Sequence, residues 1–419
     1  MRYLFALLAL TAAYGDDLRF ASSPSVKMTT DDQIAVYQKW AKADPANIQT
    51  QTLLAGAYIQ KTRETADPGY LERADALVGR VLARQPRNYE AWKLRNLIEL
   101  NRHHFAVVAD YAGQLTVRAP MDPENFGTMG DALMELGRYD DASKAYARMA
   151  AIKVSLFSLN RLAYYRFVTG DADGAIAAMK QAVEAGAPYP ENKAWCLADL
   201  GSMYFKLGKV EEAERSYREA IATFPGQHLA HAGLGAVLGA TGRSAEAIES
   251  YSHAQAIVPL PQYAGALADL YSAGGKSDEA AKQNANVDMI AQLEQAVGQK
   301  ANRTLALIYA NQGRNLERAQ ELAAADLELR HDIYTWDAFS WVEFKRGNLD
   351  EAVKASHEAL KTGAKEPMLM YHAGIIENAA GHLEDGRKLL ERALALNPRF
   401  DPVQADNARK LLSQIAAPR

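Results

Sequence analysis

The chain has 419 residues, of which 48% are hydrophobic and 23% charged, and its formal net charge is -4. These values are ordinary for a soluble protein and exclude disorder as the state of the bulk of the chain. Basic and acidic residues are interspersed, so no lysine/arginine block is present that would follow a phosphate backbone, and general nucleic-acid binding is disfavoured. The single cysteine, Cys196, cannot form an internal disulfide or a thiolate metal site.

The first residues have the pattern of a short secretory signal peptide. Arg2 precedes an apolar run from Tyr3 to Leu10, and Ala13-Tyr14-Gly15 has the small-x-small form of a cleavage site. We therefore expect residues 1–15 to be removed and the protein to be exported, to the bacterial periplasm or outside the cell. The alternative interpretation is a buried first helix. No other stretch approaches membrane-spanning length, so we expect no span in the mature chain.

A regular pattern follows the N-terminal segment. Residues 16–46 are expected to contain one leading helix, from Asp31 to Ala43, which Pro45 ends. The clearest later unit runs from Ala194 to Gln227, and the same landmarks return 34 residues later. The first helix of this unit carries its apolar stripe at i, i+3 and i+7. These three residues are Leu197, Leu200 and Tyr204.

The remaining landmarks of this unit have physical reasons. Gly201 lets the partner helix come close, with the small Ala213 on the second helix facing it. Gly208 ends the first helix, where a positive φ is usually needed. Pro225 stops the second helix because proline lacks an N–H and clashes with the preceding turn. The unit therefore predicts two antiparallel helices joined by a tight turn.

The same pattern predicts about ten units over residues 47–400. In one of them Asn101 stands near the expected turn glycine, and asparagine also tolerates a positive φ. The unit that begins before Gly275 has no proline, so its second helix should run on and mark a hinge or an irregular packing angle. The turn before Ala319 is one residue longer than the standard turn. Residues 401–419 are expected to form a capping helix.

This period and these landmarks resemble the tetratricopeptide repeat. The resemblance covers nearly the whole mature chain. It implies an all-α fold, an α-α superhelix (solenoid) of about ten helix-turn-helix repeats. The stretch from Leu305 to Pro402 is also similar to the C-terminal part of many secreted bacterial repeat proteins of unassigned function.

The resemblance also implies a binding groove. In this family the first helices line the concave face, and repeat positions two, five, nine and twelve point into it. One patch at these positions consists of Phe157, Asn160, Tyr164, Phe167, Trp195 and Phe205, with Arg161 beside it as a side chain that could reach an acidic group. A second patch consists of Tyr334, Asp337, Trp341, Phe344, Tyr371 and Asn378. The stripe between them is bare, with Ala232, Ala236, Gly239, Gly265 and Ser272.

Two interpretations of these patches stay open. Tyrosine and tryptophan are enriched at binding hot spots, so the patches are candidate partner-binding surfaces. Aromatic residues on helices also commonly fill space between neighbouring helices. One subtype of the family grips C-terminal carboxylates with lysine and asparagine at groove positions, but this chain has Gly127, Asp131, Ala198 and Ser202 there. Binding of chaperone tails is therefore not expected.

The sequence shows no set of residues suited to catalysis. His228 and His231 are spaced to share a helix face, but a third metal ligand is missing, and even a three-ligand zinc site needs one. Acidic pairs such as Glu211-Glu212 fall in first turns of helices, where they complement the helix dipole. We expect no catalytic residue, no metal and no cofactor.

Three functions remain open at this stage. The leading hypothesis is a non-catalytic scaffold or adaptor that binds a peptide or protein partner in the concave groove. The alternative is a subunit of an enzyme complex that binds envelope polysaccharide or peptidoglycan. The third is a structural spacer whose convex face carries the contacts.

Overall fold

The computed structural model describes residues 28–186, 189–296 and 299–416, and every regular element in these ranges is an α-helix. The predicted all-α fold is confirmed. The predicted signal peptide, residues 1–15, lies outside the described residues. None of the described helices combines the length and the apolar character that crossing a bilayer requires.

The helices belong to two compact units, which divide after Leu162. Helices before the division are α1 (Thr30–Ala43), α2 (Ile48–Thr65), α3 (Pro68–Arg84), α4 (Tyr89–Asn101), α5 (Phe105–Arg118), α6 (Pro123–Glu135) and α7 (Tyr139–Ile152). Helix α8 (Leu156–Val168) contains the division. We refer to the part before it as unit 1 and the part after it as unit 2.

Unit 2 contains the remaining helices. They are α9 (Ala172–Glu184), α10 (Pro190–Lys206), α11 (Val210–Thr223), α12 (His228–Ala240), α13 (Ser244–Ile257), α14 (Pro261–Ala273), α15 (Ser277–Ala296), α16 (Arg303–Gln312), α17 (Leu316–Leu329), α18 (Ile333–Arg346), α19 (Leu349–Leu360), α20 (Pro367–Ala379), α21 (Leu383–Leu396) and α22 (Gln404–Ala416).

Between α1 and α22 the described helices form ten consecutive pairs, from α2–α3 to α20–α21. The predicted number of repeats is therefore confirmed. The leading helix α1 begins at a capping box, in which Thr29 accepts from the backbone N–H of Asp32 and the Asp32 side chain accepts in return. The trailing helix α22 begins at Gln404, after the Asp401 side chain has accepted hydrogen bonds from the Val403 and Gln404 backbone N–H groups.

The tight turns inside the pairs depend on residues with positive φ. Gly208, which joins α10 to α11, has φ 72°. In the pair α4–α5 this conformation belongs to His103, with φ 61°, so the expectation for Asn101 is wrong. Asn101 is the last residue of α4, and its side chain donates to the Leu97 carbonyl. The longer turn before α17 places Asn315 at φ 50°, which accommodates the extra residue.

Glycines on three first helices lie beneath tyrosine rings from the second helices of the same pairs. A Cβ on Gly130 would lie 2.4 Å from the ring, and one on Gly201 would lie 2.9 Å from it. The pairs are Gly130 with Tyr146, Gly201 with Tyr217 and Gly235 with Tyr251. Gly201 therefore makes room for the Tyr217 ring in particular. Because each ring crosses its glycine, the hydroxyl reaches the first-helix side of the pair.

Helix α15 is the longest described helix, with 20 residues, and α16 after it has 10. Val287 and Ile290 of α15 are buried within the 14 residues of a standard second helix, and Glu294 is buried in the extension beyond that length. Its length agrees with the lack of a helix-stopping proline. The hinge expected in this region stays a prediction.

Early and late helices of unit 2 touch one another. Lys206 at the end of α10 forms an ion pair with Glu366, the N-cap of α20, at 2.5 Å. The Asn397 side chain, after α21, donates to the Phe205 carbonyl at 2.6 Å. A Cβ on Gly170 would lie 2.7 Å from the Gly363 carbonyl oxygen. Unit 2 is therefore curved enough to close on itself.

Candidate functional site

The inner face of unit 2 is identified by one stripe on α10. Trp195, Asp199, Ser202 and Lys206 lie at i, i+4, i+7 and i+11, which is one side of a helix. Lys206 reaches the hydroxyl of Tyr334, on a helix four pairs later, and Glu366, at the start of a helix five pairs later. A side chain that crosses this distance must point to the inside of the curve. The stripe therefore belongs to the inner face.

Lys206 joins the two aromatic patches. Its Nζ donates to the Tyr334 hydroxyl at 3.2 Å and lies 4.9 Å from the centre of that ring. The same Nζ atom lies 5.5 Å from the centre of the Phe167 ring. The carbonyl of the neighbouring residue, Phe205, accepts a hydrogen bond from the Asn397 side chain. Burial alone would lower the pKa of Lys206, but the charge of Glu366 outweighs it and raises the pKa. The sequence predicts the two patches at opposite ends of a groove. In the structure, Phe167 of the first patch and Tyr334 of the second both contact the Lys206 ammonium group.

The second patch is largely an internal aromatic cluster. Trp341 stacks on His372 with ring centres 4.1 Å apart, and its indole N–H donates to Asn311 at 2.8 Å. The Tyr371 ring lies 5.9 Å from the Trp341 ring and 5.6 Å from the His372 ring. Trp341 and Tyr371 each retain only 3% of their exposure. They hold α16, α18 and α20 together in this structure.

Polar contacts reinforce this cluster. Both carboxylate oxygens of Asp337 lie 3.0 Å from Nδ1 of His372. The C-terminal segment covers part of the cluster, since Phe400 packs on Tyr371 at 5.6 Å and Gln404 donates to Asn311 at 3.2 Å. The segment before α22 thus lies along the inner face as well as capping the array.

Arg161 in unit 1 is satisfied within the chain. Its guanidinium donates to both oxygens of Asp131, at 2.8 and 2.7 Å, and to the Phe157 carbonyl at 2.9 Å. The Tyr146 hydroxyl donates to the same carboxylate at 2.9 Å. Gly127 leaves room for this arrangement, because a Cβ there would lie 3.2 Å from the guanidinium carbon. The acidic group that Arg161 reaches is therefore Asp131.

The eleven residues expected to face a partner divide by exposure. Six are buried in this structure: Asn160, Arg161, Phe167, Asp337, Trp341 and Tyr371. Five are partly exposed: Tyr164, Trp195, Phe205, Tyr334 and Phe344. Partner contact in this conformation is open only to the second group. The buried group includes residues from both patches, so part of each patch packs inside the fold and does not face solvent.

Charged residues of the inner face were missed by the sequence reasoning. Burial raises the pKa of Asp199 to about 6. Burial lowers the pKa of Lys345, which lies 5.0 Å from the centre of the Trp341 ring. Asp199 lies four residues after Trp195, so helical spacing could have identified it as a residue of the same face. It is not one of the family's groove positions.

The histidines singled out in the sequence make internal contacts. Nδ1 of His228 lies 2.6 Å from the Tyr263 hydroxyl, and burial lowers its pKa to about 4. Nε2 of His231 lies 3.1 Å from the Pro225 carbonyl oxygen. Within the described ranges, no group of three or more histidine, cysteine, aspartate or glutamate side chains is arranged to hold a metal ion.

Comparison with protein families places repeats in unit 2 and at its border. Two models described as tetratricopeptide repeat match the chain, one at residues 155–225 and the other at residues 198–260 and 338–401. The matched segments contain the helix pairs from α8–α9 to α12–α13, most of α18, α19, and the pair α20–α21. The helix pairs and these matches identify the same repeat.

Individual relatives are more distant. A 212-residue segment is 28% identical to the human protein O-mannosyl-transferase TMTC1, which covers 48% of this chain and 23% of that protein. The chain thus spans less than a quarter of that relative. Among solved structures, PilF of Pseudomonas aeruginosa is 13% identical over 48% of this chain and 91% of its own, with a TM-score of 0.42. A repeat protein from Parabacteroides merdae is 16% identical over 62% and 99%, with a TM-score of 0.34.

Proposed function

Since the chain belongs to the tetratricopeptide-repeat superfamily, we propose that it is a non-catalytic scaffold that binds a protein or peptide partner on the inner face of unit 2. Repeats of this kind generally mediate protein–protein interaction. The observation that carries the proposal is the set of partly exposed aromatic side chains on that face. Trp195, Phe205 and Tyr334 are partly exposed on this face, while Phe167 and Trp341 are buried in the framework.

This arrangement suits partner binding for a physical reason. Binding surfaces gain most from aromatic side chains that are already held in place, because little conformational entropy is lost when a partner arrives. The Phe205 backbone is held by Asn397, and the Tyr334 hydroxyl is held by Lys206. These aromatic residues are therefore preorganised. We further propose, from the N-terminal sequence, that the protein acts after export, in the periplasm or outside the cell.

The proposal is tested by affinity recovery of partners from an envelope extract. The full chain is compared with a variant that carries Trp195→Ala and Phe205→Ala. We expect a protein that the native chain retains to be lost or reduced at least about tenfold, since two aromatic hot-spot residues typically contribute more than about 2 kcal/mol.

The control carries Trp40→Ala, because Trp40 lies on α1 in unit 1 and is 50% exposed. Equal recovery by the native chain and the double variant would contradict the inner face as the site. Partly exposed rings also stack on sugars, so a chain that retains purified envelope polysaccharide or peptidoglycan but no protein would favour the alternative function.

A further inference from the structure

We propose that one edge of unit 1, formed by the turns between its repeats, docks on a lipid bilayer whose headgroups are anionic. We call this surface the turn edge, and its central residues are Val117, Arg118, Met121, Arg148 and Val154. The inference goes beyond the proposed function, because the turn edge belongs to unit 1 and shares no residue with the inner face of unit 2.

The repeat register places these residues on the same edge. Helices α3, α5 and α7 are the second helices of consecutive pairs, and they end 34 residues apart, at Arg84, Arg118 and Ile152. Val154 likewise follows Pro120 by 34 residues. Equivalent positions of consecutive repeats lie in a row along an array. The turns that follow the three helices are therefore neighbours.

Direct contacts join α7 to the turn after α5. The Arg148 guanidinium donates to the Pro120 carbonyl at 3.3 Å and lies 3.7 Å from the Met121 sulfur. It also lies 5.8 Å from the centre of the Phe126 ring, which is partly exposed. Arg148 and Met121 therefore belong to one continuous surface.

The other side of the same turn holds a second guanidinium. Arg118, the last residue of α5, lies 5.4 Å from the centre of the Tyr89 ring. The Tyr89 hydroxyl donates at 2.7 Å to Asp122, the residue after Met121. Val117 directly precedes Arg118. The turn between α5 and α6 thus has a cation, an aromatic ring and exposed apolar side chains in contact, a composition typical of membrane interfaces.

The apolar side chains of the turn edge project into solvent. Val117 is 83% exposed, Val154 71% and Met121 67%, whereas other large hydrophobic side chains in the described ranges are at most 54% exposed. A side chain that projects this far gains little from a rigid protein surface unless a matching pocket receives it. A lipid interface adapts its shape to the inserted group. The exposure therefore favours a bilayer over a protein partner.

The arginines of this edge have no carboxylate partners. Arg84 donates to the Ala46 carbonyl at 3.0 Å, and Arg118 and Arg148 make the ring, carbonyl and sulfur contacts described above. Arg87 lies in the turn after α3. All four arginines are exposed, and none forms an ion pair within the described part of the chain. Their charges are therefore available to anionic headgroups.

The carboxylates near the turn edge are mostly enclosed. Asp122 and Glu124 both pair with Lys93, at 2.8 and 2.7 Å, and their side chains are only 14% and 13% exposed. Glu90, in the first turn of α4, is an exposed carboxylate next to these turns. Four exposed guanidinium groups outnumber it, so the outward charge of the edge is positive. Charge complementarity selects an anionic bilayer surface over a neutral one.

The test is co-sedimentation of the full chain with lipid vesicles. Vesicles of phosphatidylcholine alone are compared with vesicles in which about a third of the lipid is phosphatidylglycerol, at near-physiological salt. We expect the chain to bind the anionic vesicles and to bind the neutral ones at least about tenfold more weakly. Arg118→Gln combined with Arg148→Gln should weaken binding to the anionic vesicles at least about tenfold, since each arginine near such a surface contributes a factor of about five.

A second variant keeps every charge and removes the insertion. Val117→Ser combined with Val154→Ser should weaken binding to the anionic vesicles at least about fivefold, because apolar area is no longer transferred out of water. Both valines are largely exposed, so the variant should fold, and melting curves verify this for each variant.

Matched controls lie in unit 2. Arg215→Gln with Arg392→Gln removes two exposed arginines, from α11 and α21. Met289→Ser with Leu293→Ser removes two exposed apolar side chains from α15. Both controls should bind the anionic vesicles as the native chain does.

The outcomes separate this inference from its alternatives. No binding to the anionic vesicles, equal binding to the neutral ones, or unchanged binding by either turn-edge variant would overturn it. A labelled hexa-glutamate peptide that binds through Arg118 and Arg148, when vesicles do not bind, would assign the edge to an acidic protein segment instead. The double variant Trp195→Ala, Phe205→Ala should bind vesicles normally, so failure of the proposed function is recognised separately.

Discussion

The Arg161–Asp131 pair in unit 1 shows how strongly single residues can matter in a repeat protein. Both side chains are only 2% exposed, and the pair is completed by the Tyr146 hydroxyl. Burial of two charges is costly, so such a pair is weak support for stability by itself. Breaking it is a different matter, because the remaining charge stays buried without a partner.

Arg161→Met should therefore destabilise the protein by about 3–5 kcal/mol. Urea unfolding followed by circular dichroism measures this change. The double variant Arg161→Met, Asp131→Asn should recover part of the loss, since it removes the unpaired charge. Arg138→Ala is the control, because Arg138 is 57% exposed and pairs with Asp141 on the surface, where the expected cost is at most about 1 kcal/mol. Equal losses for Arg161 and Arg138 would contradict the prediction.

Glu294 near the end of α15 links stability to pH. It is 2% exposed, and both of its oxygens lie 3.0 Å from the Asn302 side-chain nitrogen, which donates to them. Burial raises its pKa from 4.5 to about 7. Between these values the folded chain binds a proton that the unfolded chain has released. Its contribution to stability therefore declines as the pH rises through this window, by about 3 kcal/mol in all.

Glu294→Gln should remove this dependence, because an amide does not titrate. At pH 8 the variant should be more stable than the native chain by up to about 3 kcal/mol, and the difference should shrink toward pH 5. Unfolding free energies measured at several pH values check this. Glu328→Gln, at an exposed position on α17, is the control. A difference that stays constant across pH would rule out titration of Glu294 as its source.

Among the elements, α12 contains two glycines, Gly233 and Gly239, at which substitution by alanine should change the stability in opposite directions. A Cβ on Gly233 would lie 2.2 Å from the Tyr217 ring, which is buried and also pressed against Gly201. A Cβ on Gly239 would meet its nearest neighbour, Leu270, at 3.5 Å, an ordinary contact. Both glycines lie within the helix, where alanine is intrinsically favoured by about 1 kcal/mol.

Gly233→Ala should therefore destabilise the protein by about 1–3 kcal/mol, because the ring cannot move away. Gly239→Ala should be neutral or stabilising by up to about 1 kcal/mol. Thermal unfolding of the two variants measures the contrast within one helix. If both substitutions stabilised the protein, the close approach of Tyr217 would not be a constraint in solution.

Most elements follow directly from the sequence, because glycine and proline mark helix ends by local chemistry. The turn at Gly208 is where a positive φ was expected. His103 escaped this reasoning because its positive φ is imposed by the position of the turn and not by its own preference. The ring that covers Gly201 also escaped it, since the sequence indicates a close approach without saying which side chain makes it.

At the scale of the whole of unit 2, closure depends on a few contacts between distant repeats. Lys206 pairs with Glu366, and Asn397 holds the Phe205 carbonyl. These contacts join residues that are 160 and 192 positions apart in the chain. These contacts control whether the inner face is closed. Packing between consecutive helix pairs sets the curvature of the array, but it does not join the early repeats to the late ones.

Combining Lys206→Met with Asn397→Ala should open this junction. Spin labels at positions 209 and 361, both exposed, measure the distance across it in a Cys196→Ala background. The double variant should give a longer and broader distance distribution than the native chain. Lys193→Met is the control, because Lys193 lies on the same helix and pairs with Glu219 at 3.9 Å on the surface. An unchanged distribution in the double variant would show that other contacts maintain closure.

The candidate site was only partly predictable for the same reason. The spacing of Trp195 and Phe205 indicates the inner side of α10, and both are partly exposed there. Trp341 and Tyr371 have equivalent spacing but are buried by His372 and Phe400. Burial of this kind depends on how far the array curves and where its C-terminal segment lies. Neither property can be predicted from the repeat period.

Closure also limits how this protein can change in length. An open array tolerates the gain or loss of one 34-residue repeat, because each repeat contacts only its neighbours. In unit 2 an added repeat between α10 and α20 would preserve every neighbouring interface and still carry Glu366 away from Lys206. The count of repeats between these two residues is thus a constraint of its own. The number of repeats between the two edges of the inner face is therefore less free to change in evolution than the partly exposed side chains on that face.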